Sequence, residues 1–309
     1  MIGSPDTLHY RVSHRTSYEY ALPMTDGYTV AHLLPRPTAQ QEVRAAEVSV
    51  DPEPDERSER IDVFGNRVLQ IGVHHQHDHL TLTDESDVVV SVGDQPPPGE
   101  PWEVATQRVH DLRGADALAV RPFVGSSQYV PLDRHGGALR SIAEEAFAPH
   151  VPIVEGVRAL CHHIYEAFEF DSAFTDISTP LSVVLEARRG VCQDFAHLAT
   201  GALRSLGLAA RYVSGYIETD GPAGAEELRG TDASHAWCSV WVPQHGWIDF
   251  DPTNDHLPVH RHVTVAWGRD YGDVTPVRGV VIGPPAEQAL SVEVDVRRVA
   301  DHHAPTIPD

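Results

Sequence analysis

The hydrophobic pattern of this chain changes period at one place, and that change bounds the folds open to it. From Leu8 to about Val92, apolar residues alternate or run in short β-branched stretches: HYRVSH, EVRAAEVSV, RVLQIGV and LTLTDESDVVVSV. Alternation with period two belongs to strands, because successive side chains leave a strand on opposite faces. Turn formers separate the stretches: Pro35 and Pro37, the acidic run DPEPDERSE, and Phe64-Gly65-Asn66. No helical pattern occurs in this part. Residues 93–101, GDQPPPGEP, then read as a Pro/Gly-rich linker.

Beyond the linker the period becomes 3.6. Gly137 to Phe147 reads as a helix. Residues 153–168 form a stronger one, with Val157, Leu160, Cys161, Ile164 and Phe168 on a single stripe. Thr179-Pro180 supplies an N-cap and a proline at the first helical position, opening a short helix to about Arg188. Gly190 breaks the chain, and a helix runs from about Cys192 to Leu206, ended by Gly207. Strands follow at AARYVSGYIE, HAWCSVWVP, WIDFD, HVTVAW, RGVVIG and LSVEVDV. The expected fold class is α+β: an antiparallel β-sandwich-like domain over residues 1–95, then a domain over 96–309 whose helices precede its strands. The polar tail after Ala300 is expected to fray.

A chain of 309 residues has room for two domains, and its 41% hydrophobic content supplies a core. The formal charge of -22 repels phosphate backbones and anionic headgroups, so no nucleic-acid or membrane partner is expected. All 23 basic residues are Arg. Three cysteines, Cys161, Cys192 and Cys238, are too few for a disulfide framework. No apolar run reaches signal-peptide or membrane-span length. These features point to a reducing, cytoplasmic setting.

Cys192 falls at a helix N-terminus, just after Arg188-Arg189-Gly190. Unpaired N–H groups and the helix dipole stabilise an anion there, which favours the thiolate, and the same N–H groups could stabilise an oxyanion. Gly190 lets the backbone turn and leaves the sulfur approachable. On position alone, a buried core cysteine is the competing reading. Cys161 lies on the apolar stripe of its helix. Cys238 shares a strand face with Ala236 and Val240, opposite the face carrying His235, Trp237, Ser239 and Trp241. Both of these fit core roles. A nucleophilic cysteine needs a base, and the base needs an orienting group. His235 opens one strand and Asp251 closes the next, so a hairpin pairing them would set His235 beside Asp251. Asp249 has the same parity, and alternation alone does not choose between the two carboxylates.

The runs RGVCQDFAHLATGALRSLGLAARYVSGYIE, DASHAWCSVWV and GWIDFDPTND closely resemble the bacterial transglutaminase-like family. The later run GRDYGDVTPVRGV also fits, and HRTSYEY, LPRP and DVFGN resemble the β-rich N-terminal region of that family. The likeness covers nearly the whole chain. In the family the Cys of GVCQD is the nucleophile, the His of SHAW the base and the Asp of DPTN its orienting partner. The resemblance therefore implies a triad of Cys192, His235 and Asp251, in a papain-like transglutaminase core behind an N-terminal β domain. The chemistry expected of these residues is attack of the Cys192 thiolate on a carboxamide carbon of a peptide or protein substrate to give a thioester acyl-enzyme, with no cofactor. Hydrolysis, as in a cysteine peptidase or amidase, is the favoured outcome. Transfer to an amine is the alternative, and a non-catalytic binding module on this scaffold is the alternative of another class. Cys238 departs from the family pattern, which has a β-branched aliphatic residue there.

Other histidines and acids carry weaker signals. His74, His75, His77 and His79 cluster, and alternation could put His75, His77 and His79 on one face at a zinc-binding spacing, the basis of a metal-dependent hydrolase. A solvated strand face is the expected reading. His162-His163 are expected at the surface and His302-His303 in the tail. Asp194 serves the first turn of its helix. His197 lies about 140° around the helix from Cys192 and faces elsewhere. Animal transglutaminases use calcium, but no D-x-[DN]-x-[DN]-G loop occurs, so no obligatory metal is expected.

Overall fold

In a computed structural model of the chain, the described residues are 7–219, 234–257, 259, 261–285 and 287–299. The tail expected to fray, with His302 and His303, lies outside them. Six strands fill the first part: β1 (Thr7–Met24), β2 (Asp26–Ala31), β3 (Gln41–Asp51), β4 (Glu56–Ile61), β5 (Arg67–Val73) and β6 (His77–Ser91). Helices then dominate: α1 (Trp102–Asp111), α2 (Gly114–Val120), α3 (Leu132–Glu144) and α4 (Ile153–Ala167). After the short β7 (Glu169–Phe170) come α5 (Leu181–Ala187), β8 (Arg189–Gly190) and α6 (Cys192–Ser205). The chain closes with β9 (Ala210–Ile217), β10 (His235–Val242), β11 (Gly246–Phe250), β12 (His262–Gly268), α7 (Tyr271–Val274), β13 (Val277–Ile282) and β14 (Gln288–Arg298). The molecule is α+β, with a β-rich N-terminal part as the period change requires.

Three four-stranded sheets organise it, ordered β14-β1-β6-β3, β13-β2-β5-β4 and β11-β10-β9-β12. The first two share a core that includes Tyr20, Met24, Val48, Leu69, Ile71, Leu80 and Leu82. Helix α6 packs on one face of the third, through Phe195, Ala196, Ala199, Ala202 and Leu203, all buried. Its apolar face is broad because it is covered both by the sheet and by neighbouring helices. Gly207, at φ +83°, turns the chain out of it. The stripe on α4 is buried as its spacing predicts, from Val157 to Ile164, with Phe168 just beyond its end.

Several elements differ from the sequence reading. α3 begins at Leu132 rather than Gly137, and Pro180 occupies the cap of α5 rather than its first turn. α1 and α2 have no counterpart in that reading: α1 buries only Ala105 and Val109 and α2 only Val120, too few positions to establish a period. The larger difference concerns β13 and β14, grouped by sequence with the second domain. β13 pairs with β2 and β14 with β1, so both extend the N-terminal sheets. A strand pattern fixes which face is apolar but does not name the neighbouring strand.

β14 is also fixed to the α6-backed sheet. Glu218, fully buried just after β9, takes Arg261 Nε at 2.7 Å and Arg298 Nε at 2.9 Å. Thr219 and Val296 exchange two hydrogen bonds of 3.0 Å. On the other face of that sheet, buried Arg36 lies 3.2 Å over the Trp267 ring, with Arg211 3.6 Å from Trp267 and 4.4 Å from Trp247. Cations stacked between aromatic faces retain favourable electrostatics after losing water. Asn66 and Gln41 complete the attachment by hydrogen bonding the backbone of Trp267 and Thr264. β12 is thereby held from the N-terminal side.

One buried acid in this region sets a pH dependence. Asp84 of β6 is fully buried, and both its oxygens face the Ser86 hydroxyl, at 2.8 and 3.0 Å. Burial pushes its carboxyl up from 3.8 to about 7, against the opposing effect of Ser86. The raised folded value means the proton stabilises the native state below the unfolded pKa. That contribution, on the order of a few kcal/mol, is lost as pH rises through the folded value. Denaturation midpoints measured from pH 4.5 to 8 should show this loss in the wild type, and Asp84→Asn should flatten it.

Candidate active site

Cys192 is the first residue of α6, and Val191 precedes it in extended conformation at the cap. Asp194, two residues on, reaches back: its Oδ2 accepts from the Val191 N–H at 2.9 Å and the Thr175 hydroxyl at 2.6 Å. Burial raises the Asp194 carboxyl above its usual range, and these two bonds oppose the rise. Gly190 is required by this carboxylate, since a Cβ there would come within 2.7 Å of Asp194 Oδ2. Cys192 itself is half-buried, at the start of a helix whose first N–H groups have no intrahelical partners.

His235 and Asp251 meet as the hairpin predicts. β10 and β11 pair with Cys238 opposite Phe250 and Ser239 opposite Asp249, leaving Asp251 one step past the last pair and diagonal to His235. His235 Nε2 lies 2.8 Å from Asp251 Oδ2, and both side chains are fully buried. Asp249 is committed elsewhere: it accepts from Trp237 Nε1 at 3.3 Å and from the Ser239 hydroxyl. The structure therefore brings Asp251, and not Asp249, to His235.

Asp251 has further donors. Its Oδ1 accepts from the Thr253 N–H at 2.9 Å, and its Oδ2 from Asn254 Nδ2 at 2.7 Å and His262 Nε2 at 3.0 Å. His262 opens β12 and was not singled out by the sequence, where it is only a histidine at the head of an apolar strand. Burial by itself would lower the pKa of His235. The negative charge of Asp251 and its hydrogen bond, with Cys192 nearby adding in the same direction, outweigh that and raise it to about 10. Burial would likewise raise Asp251, but the His235 charge and the hydrogen bonds of His235 and His262 hold it well below the usual carboxylate range. For His262 burial prevails over Asp251, and the pKa is lowered. The arrangement sets the His235 ring against one oxygen of a buried carboxylate, with a second ring, His262, on the same oxygen.

Two stretches of the chain match family models. Residues 140–252 match the transglutaminase-like superfamily, and residues 10–89 match the bacterial transglutaminase-like N-terminal region. The chain belongs to the transglutaminase-like superfamily. An uncharacterized protein of Mycobacterium bovis is 41% identical over 302 residues, spanning 94% of this chain and 93% of that protein. A protein-glutamine gamma-glutamyltransferase of Pseudomonas aeruginosa is 30% identical over 132 residues, 41% of this chain and 20% of its own length. The same fold is found in a presumed cysteine protease from Cytophaga hutchinsonii, at TM-score 0.72 and 21% identity over 98% of this chain and 95% of that one.

Within this transglutaminase-like core the other cysteines are packed away. Cys161 Sγ lies 3.2 Å from the Asp251 carbonyl, and Cys238 Sγ 3.2 Å from the Ala196 carbonyl of α6, on the sheet face opposite His235. Burial pushes Cys238 up to about 12 and Cys161 well above its ordinary value. His197 is buried too, accepting from the Tyr271 N–H at 3.2 Å and stacked on Tyr129. His162 is exposed and paired with Asp255.

The N-terminal histidines do not converge. His75 pairs with Asp55 at 3.0 Å and His79 with Asp78 at 2.8 Å. His77 is buried against Tyr20, contrary to the expected solvated face. Among the described residues, the set of three potential ligand groups that does converge is His235, Asp251 and His262, within 4.8 Å. Both imidazole contacts there are direct hydrogen bonds to one carboxylate oxygen. A cavity of about 1210 Å³, between the Thr38–Gln41 segment and the sheet face bearing Trp247 and Trp267, touches His262 but neither Cys192 nor His235.

These environments predict selective labelling. Iodoacetamide at neutral pH should modify Cys192 in the folded protein well before Cys161 or Cys238, as read by peptide mass spectrometry. Equal labelling of the three would contradict the environments described.

Proposed function

We propose that this protein is a thiol-dependent acyl-transfer enzyme using Cys192, His235 and Asp251. The observation that carries the reading is the buried hydrogen bond from His235 Nε2 to Asp251 Oδ2, which leaves Nδ1 as the nitrogen available to Cys192. In this reading the Cys192 thiolate attacks the carbonyl carbon of a peptide or carboxamide. The first-turn N–H groups of α6 receive the developing oxyanion. As the C–N bond breaks, His235 gives its proton to the leaving amine and a thioester remains. Water then attacks the thioester, His235 taking one of its protons, and the acid leaves as the thiolate is regenerated. Asp251 fixes the ring orientation throughout.

Hydrolysis is the favoured outcome, making this a cysteine peptidase or amidase. The three free cysteines suit a reducing cytoplasm, where indiscriminate protein crosslinking would be harmful. The second reading, transfer to an amine, draws on the Pseudomonas aeruginosa glutamyltransferase. A non-catalytic binding module fits less well, since it needs neither a buried imidazole–carboxylate pair nor a thiol at a helix start.

Two experiments test the proposal. Cys192→Ala should abolish turnover without unfolding the protein. Asp251→Asn should lower kcat by about 10³-fold or more, whereas Asp249→Asn should cost under about tenfold; the reverse order would refute the Asp251 assignment. For the fate of the acyl-enzyme, glutamine-containing and peptide-bond substrates are supplied with a labelled primary amine. Free acid should form faster than amine adduct, and a dominant adduct would replace the hydrolase reading with a transglutaminase.

A further inference from the structure

The proposed orienting carboxylate carries more hydrogen bonds than orienting one histidine requires. Oδ2 of Asp251 has three donors: His235 Nε2 at 2.8 Å, Asn254 Nδ2 at 2.7 Å and His262 Nε2 at 3.0 Å. Oδ1 has the Thr253 N–H at 2.9 Å. Each of these residues is buried. Thr253 and Asn254 follow Asp251 directly in the chain. His262 comes from a different strand, β12, which lies beyond β9 from His235.

The route by which it arrives is built into the sheet. His235 pairs with Gly215 of β9, and Gly215 pairs in turn with Thr264 of β12. A Cβ on Gly215 would meet the Trp237 ring at 2.6 Å and the Val263 carbonyl oxygen at 2.1 Å. The missing side chain leaves room for the fully buried Trp237 indole to lie across β9. That indole stacks on His235, at 6.2 Å and 23°, and meets His262 edge-on, at 5.0 Å and 72°. One rigid ring thus braces both imidazoles against the same carboxylate.

The tautomer of His262 follows from its surroundings. Nε2 faces a carboxylate oxygen, so it carries the proton, and Nδ1 is buried with no hydrogen-bond partner among the described residues, which leaves a lone pair there and favours the neutral ring. Leaving such an atom unsatisfied costs free energy. The gain is a donor without a charge. A cation at this position would neutralise Asp251 and weaken its hold on the His235 imidazolium. A neutral N–H fixes the carboxylate and leaves its charge to His235. The groups acting electrostatically on His262 are Asp251, His235 and His256.

We infer that His262 is a positioning residue, a neutral clamp that holds Asp251 in register with His235. The inference rests on the Cys192–His235–Asp251 reading. Its test needs no substrate: the rate of Cys192 alkylation by iodoacetamide is followed against pH in the wild type, His262→Leu, His262→Gln and His235→Ala. Loss of the clamp lets Asp251 turn, weakens the imidazolium and with it the thiolate. The Leu variant should therefore show a reactive pH window narrowed by roughly half a unit or more at its limits. Gln, whose amide can donate to Oδ2, should restore most of the window. A merely structural role would lower the melting temperature and leave the limits in place, so an unchanged profile in folded His262→Leu overturns the inference while the triad stands. If His235→Ala also leaves Cys192 reactivity unchanged, the triad reading falls and the inference falls with it. Should His262→Leu fail to fold, ¹⁵N-histidine NMR of the wild type decides. A neutral Nε2–H ring for His262 at neutral pH supports the clamp, and a doubly protonated or Nδ1–H ring overturns it.

Discussion

Asp251 is a fully buried carboxylate kept ionised by its neighbours, and the arrangement of the site follows from satisfying it. An isolated carboxylate in a protein interior is costly enough that it normally takes up a proton. Here two imidazoles, a side-chain amide and a backbone N–H surround it instead. Those donors come from β10, from β12 and from the turn after β11, so three segments must converge before the charge is stable. The requirement makes the sheet order β11-β10-β9-β12 a condition of this hydrogen-bonded cluster, and not only of the fold.

β12 depends in turn on the N-terminal half of the chain. Gln41 and Asn66 hydrogen bond its backbone, and Arg36 covers Trp267 at its far end. The C-terminal strands β13 and β14 add to the N-terminal sheets, and Glu218 binds Arg298 of β14 beside β9. The β-rich part is therefore attached at several points around the site-bearing sheet. This gives it a physical role there, in holding the strand that carries His262.

Cys192 depends on a separate set of contacts. Asp194 folds back on Val191 and Thr175, and Gly190 supplies the room for it. The start of α6 is shaped by these contacts before any contribution from His235. Cys192 and His235 thus arise from two local solutions, one at a helix start and one at a hairpin end. α6, which carries Cys192, packs its apolar face on the sheet that carries His235.

Local signals carried much of this. The change of period at residues 93–101, the stripe on α4, the glycine at each end of α6 and the alternation along β10 are short-range patterns, and the elements they predict are present. Alternation put Cys238 on the face away from His235, where it meets α6. What the sequence could not decide was pairing at long range. Alternation gives Asp249 and Asp251 the same parity; the family resemblance points to Asp251, and the physical reason appears only in the hairpin register, with Ser239 and Trp237 occupying Asp249. The placement of β13 and β14 on the N-terminal sheets, and of His262 behind Asp251, has no local mark either. A strand encodes its own faces through side-chain alternation, while its partner is chosen by which open edge the completed core presents. That choice exists only in the tertiary structure.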